Sequence, residues 1–163
     1  MFPQPRTFDE QITFRIYPGR GNKRGLYWTV QVFRSFKEMR AHIGGNQRWL
    51  KEYWSARNTV ACCTSWRKGR SIAKRSGVSK EMGEIILCQK RCGVRIVAHE
   101  VTHAMFRWME RSGIGLNEFH KPRERLGRCS KEEERLCYAV GDMCGQIYDV
   151  LSSKRIVPLG LGT

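Results

Sequence analysis

His99-Glu100-Val101-Thr102-His103 sets two imidazoles four residues apart with a carboxylate between them, inside a stretch that reads as a helix. On an α-helix, positions i and i+4 lie one above the other on one face. His99 and His103 can therefore both direct a ring nitrogen at a single Zn²⁺. Glu100, one step around the helix, can reach the open side of such an ion and accept a proton from water there. The chain has only four His in 163 residues, so the pattern is far more specific than composition would supply.

The flanking residues define the helix. Gly93 precedes Val94, and Ser112-Gly113 forms a stop. Ile96, His99, His103 and Phe106 fall on one stripe; Val97, Val101, Ala104 and Trp108 fall on the adjacent one. This spacing predicts a helix buried along both flanks.

Catalytic zinc usually has three protein ligands and an open position, so a third is needed. A second helix is predicted from Glu132 to Leu151, with Ser130 and Glu133 as a capping box. Leu136, Val140, Met143, Ile147 and Val150 form its core stripe. Glu134, Tyr138, Gly141 and Gly145 form a small-residue face that another helix could approach, and a carboxylate there could meet the two His. Glu132 and Glu133 lie nearer the core stripe, and all three Glu also suit the dipole at a helix start. His120, in the loop Leu116 to Pro122, is the rival third ligand. Tyr138, one turn after Glu134, is a candidate oxyanion donor, with Tyr148 and His120 as alternatives.

HExxH followed by a glutamate in a later helix resembles the gluzincin plan. The segment Glu134-Arg135-Leu136-Cys137-Tyr138-Ala139 is similar to the Glu-Ala-Asn-x-Phe-Ala segment of ImmA/IrrE-type metallopeptidases. Small HExxH proteins of phages and prophages also resemble it. The resemblance covers about residues 82 to 151. It implies Zn²⁺ on His99, His103 and Glu134, Glu100 as general base, a minimal zincin-like fold, and hydrolysis of peptide bonds in a protein or peptide substrate. Arg135-Leu136 stands where the ImmA/IrrE pattern has Ala-Asn, which leaves the choice among the three Glu open. His99 to Trp108 is more loosely similar to the start of SprT/Spartan-type proteases, whose downstream His-Gly is here His120-Lys121.

A length of 163 residues suits one domain with a core of its own, spanning residues 1–163 with loose ends near 1–8 and 157–163. No apolar run is long enough to span a membrane, and the opening residues lack the features of a signal peptide. Seven Cys, an odd number, point with that to reduced thiols and a cytoplasmic setting, in a bacterium or phage-infected host.

Net charge is +15, with clusters at Arg15, Arg20, Lys23 and Arg24, at Arg67 to Lys80, and at Lys121 to Lys131. A nucleic-acid partner held mainly through its phosphates is expected from such a surface. Two other classes remain open on the sequence: a basic nucleic-acid-binding protein with a structural zinc, and a phage protein that binds a host factor on an inactive scaffold.

Alternation predicts strands at 11–17 and around Trp28, Val30 and Val32. Ser35 to Glu38 opens a helix ending near Gly44-Gly45, and a second helical piece spans Gln47 to Arg57. Strands follow at Thr59–Trp66 and Glu84–Cys88, separated by a basic loop that could form a lid. The order predicts an α+β fold, with a mainly antiparallel sheet packed on the HExxH helix. The Glu84–Cys88 strand is either an edge that pairs with extended substrate or a buried central strand.

Overall fold

A computed structural model describes residues 11–19, 22–46, 59–65, 80–113 and 131–156. The chain is α+β. Strands β1 (Ile12–Ile16) and β2 (Tyr27–Phe33) lead into α1 (Phe36–Asn46); β3 (Cys62–Ser65) and β4 (Glu81–Cys88) follow, then α2 (Val94–Ser112) and α3 (Lys131–Ser153). The predicted helix at 47–57, the basic loop at 67–79 and the segment holding His120 lie outside the described residues.

The sheet order is β1-β2-β4-β3. The β1–β2 and β3–β4 pairs are antiparallel, as expected, but β2 and β4 run parallel. Parallel neighbours need a crossover, and the chain makes one by leaving the sheet through α1 before it returns. β4 is therefore an interior strand, paired on both sides, and among the described residues the edge beside it is β3. The possibility that Glu84–Cys88 forms the edge is thereby corrected. Gly83 makes the close β3–β4 approach feasible: its φ is 155°, and a Cβ there would stand 1.9 Å from the Thr64 carbonyl oxygen.

Alternation places apolar residues on both faces. Trp28, Val30, Val32, Ile85 and Leu87 share one core with Val97, Val101, Ala104, Met143 and Ile147 of the two long helices. On the opposite face Phe33, Ile86 and Cys88 pack with Met39 and Ile43 of α1. The start of α1 has the expected cap, Glu38 donating its backbone N–H to Ser35 Oγ at 3.3 Å. The helix runs through Gly44-Gly45 to Asn46 instead of stopping at the glycines. Glycine in a last turn costs only about 1 kcal/mol and does not bar helical φ and ψ.

α2 ends as predicted, with Gly113 in the left-handed region at φ 74°. It packs over β3 and β4 with α3 alongside. Only one flank is buried (Val97, Glu100, Val101, Ala104, Met105, Trp108, Met109); His99, His103 and Phe106 are exposed. The expectation of burial along both flanks fails because the sheet and α3 contact only the inner side of the helix.

α3 buries Ala139, Met143, Ile147 and Leu151, close to the predicted stripe. Its small-residue face is not a helix contact: nothing lies within 4 Å of a Cβ added at Gly141 or Gly145. Gln146 ties α3 to the sheet, accepting the Tyr17 backbone N–H at 2.9 Å and donating to the Tyr17 carbonyl at 2.8 Å. Asp142 sits against Gly19, where a Cβ would collide with its carboxylate. Among the described residues, no helix is long and apolar enough to cross a membrane.

Candidate metal centre

α2 carries the centre because its second and third turns lift His99 and His103 onto the side turned away from the sheet. Their Nε2 atoms are 3.2 Å apart, and the rings meet edge to face at 80°. Two nitrogens bound at 2.0–2.1 Å to one tetrahedral ion would stand roughly 3.3 Å apart. The pair is therefore spaced for one zinc ion. Partial burial, then the charges of His99 and Arg107, lower the pKa of His103 below the ordinary histidine value. This favours the neutral imidazole, which is the form that binds metal.

Glu100 leaves this face and turns into the seam between α2 and β3, where it is 7% exposed. Burial raises its pKa to about 7, offset in part by a hydrogen bond donated by the Cys63 backbone N–H. A carboxyl group tuned near neutrality and fixed beside a histidine pair suits proton transfer. The Cys63 thiol is itself pushed well up, by burial and then by the Glu100 charge.

The third ligand is not assembled. Among the described residues, no group of three His, Cys, Asp or Glu is placed to hold a metal. Glu134 is exposed on α3, while Glu132 and Glu133 are half-buried. The anchoring of α3 accounts for this. Gln146 meets Tyr17 and Asp142 meets Gly19, so the helix start projects beyond the end of β1. The last turn of α2 lies at that same end of the sheet, where Arg111 donates to the Glu81 carbonyl at 3.3 Å. His99 stands about 18 Å back along α2 from Arg111. Tyr138 is 62% exposed, and the Tyr148 hydroxyl is buried without a hydrogen-bond partner. His120 lies outside the described residues.

Sequence reasoning missed one member of the site: the Cys63 amide escaped notice because backbone donors carry no residue signature. Phe106 lies on the histidine stripe where its spacing put it, but at 42% exposed it is not buried as expected. The chain matches no family model, no curated protein and no solved structure.

Proposed function

We propose that the chain is a small zincin-like metallopeptidase of the HExxH type. One observation carries this: two histidine nitrogens converge at 3.2 Å on an open helix face, beside the buried Glu100. His99 and His103 would hold the ion, with His120 as the third ligand, or Glu134, the residue implied by the resemblance, if the start of α3 reaches α2 in the loaded protein. A bound zinc supplies Lewis-acid activation of water and of the scissile carbonyl.

The protein groups manage the proton and the substrate. Glu100 accepts a proton from the attacking water and returns it to the leaving nitrogen. The Cys63 N–H orients that carboxylate. Among the described residues β3 is an edge strand, and that edge offers backbone groups to an extended peptide running beside the helix, by β-augmentation. Tyr138 lies on the part of α3 that projects beyond β1, so it serves as the oxyanion donor only if the start of α3 reaches α2 in the loaded protein. The six free cysteines among the described residues suit a reducing, cytoplasmic setting.

The test pairs metal analysis with turnover of a fluorescein-labelled unfolded protein. About one zinc per chain is expected, lost in His99→Ala and His103→Ala. Glu100→Gln should keep the metal and lose at least about 100-fold in rate. A metal-free wild type, or full turnover by Glu100→Gln, overturns the proposal.

A further inference from the structure

The sheet face turned away from α2 carries an aromatic platform that shares no residue with the metal centre. Tyr17 follows β1 directly. Extending the register Arg15↔Thr29 and Ile16↔Trp28 by one residue sets it opposite Tyr27, the first residue of β2. The ring centroids are 6.0 Å apart with a 52° tilt. Arg15 points to the same face, its guanidinium 4.5 Å over the Tyr27 ring. Among the described residues, α1 packs on this face around Phe33, Cys62, Ile86 and Cys88. At the other end Arg15 is exposed and Tyr17 is 40% exposed.

Further cations stand at this end of the sheet. Lys23 and Arg24 are exposed in the connection between β1 and β2, with Arg24 turned to the end of α2, where it donates to the Arg111 carbonyl at 3.4 Å. Lys80, just before β4, accepts the Tyr27 N–H on its carbonyl at 3.0 Å and sends its ammonium towards Gly25. Among the described residues, the carboxylates on this face lie on the β4 side and are engaged within the protein. Glu81 accepts the Thr29 hydroxyl at 2.5 Å; Glu84 accepts the Gln31 amide at 2.8 Å and pairs with His42 at 3.4 Å. Among the described residues, the β1–β2 side of the face is thus left positive, in a chain of net charge +15.

We propose that this platform binds single-stranded nucleic acid, with a base stacked on Tyr17 and its phosphates along Arg15, Lys23 and Lys80. Exposed aromatic rings flanked by cations are what unpaired bases and their backbone require, whereas a duplex keeps its base faces covered. Arg15 braces Tyr27 from one side, which leaves Tyr17 as the open stacking surface.

The experiment is fluorescence anisotropy of the full chain with fluorescein-labelled 12-mers of thymidylate and uridylate, from 50 to 200 mM salt. Binding should weaken linearly on a logarithmic salt scale. Tyr17→Ala should cost about tenfold at an unchanged salt slope. The link to the Gln146 side chain uses only backbone atoms of Tyr17, so that variant keeps its anchor. Lys23→Glu with Lys80→Glu should weaken binding and flatten the slope by about 1.4, the share of two phosphates. Lys90→Glu with Arg91→Glu makes the same charge change on the exposed turn after β4 and should cost less than about threefold. Four results each overturn the proposal: no binding at 50 mM salt, an unaffected Tyr17→Ala, equal losses in the two charge-reversal pairs, or a 12-base-pair duplex bound as tightly as the single strands.

Discussion

The carboxylate of Glu100, on α2, accepts a hydrogen bond from the backbone N–H of Cys63, on β3. This bond joins the motif helix to the edge strand and fixes where the proposed base stands. Without it, a carboxylate buried in the seam would keep its desolvation cost and lose its charge-stabilising partner.

The same bond leads to a prediction about pH. Burial raises the Glu100 pKa from 4.5 to about 7, so the native state holds this proton more tightly than the unfolded chain. The contribution to stability is complete below about pH 4.5 and is lost as pH rises to about 7, a change of about 3 kcal/mol. Urea unfolding of metal-free protein should therefore show a downward trend over this window that Glu100→Gln removes. Parallel profiles for the two proteins would show that Glu100 is not buried as described.

The third ligand can be found by substitution. The first turn of α3 projects beyond the end of the sheet opposite to the histidine pair, so zinc is expected to survive Glu132→Ala, Glu133→Ala and Glu134→Ala and to be lost in His120→Ala. Metal content by mass spectrometry decides this, at about one zinc per chain or well below. Loss in Glu134→Ala alone would instead establish the ligand set implied by the ImmA/IrrE resemblance. The start of α3 would then have to reach α2 in the loaded protein.

Gly83 sets the edge strand. β4 uses three residues where β2 uses two, between Tyr27↔Glu81 and Thr29↔Glu84, and Gly83 falls in that irregularity. Alanine there would be strained at φ 155° and would collide with the Thr64 carbonyl and the Trp28 ring. Gly83→Ala should cost about 3 kcal/mol or more in urea unfolding. The displacement of β3 should also lower hydrolysis, because Cys63 moves away from Glu100. A variant as stable and active as the wild type would show that β3 and β4 are not held this closely.

Much of this fold was legible in the order of residues. The 3.6-residue period around His99 and His103, the stop at Gly113 and the alternation of Trp28, Val30 and Val32 are local signals, and each became the expected element. The convergence of the two histidines was equally readable, because a helix fixes the i and i+4 geometry whatever surrounds it. Tertiary packing decided the rest. The parallel β2–β4 pair made β4 interior and gave the edge to β3, which no local pattern encodes. Phe106 was assigned to the core by its spacing, but spacing records which residues share a face without saying whether anything covers it. Glu134 occupies the predicted helix, while the Gln146 and Asp142 anchors determine which end of the molecule it occupies. The Cys63–Glu100 bond joins residues far apart in the chain through a backbone amide, a group every non-proline residue carries, so only the folded arrangement could select it.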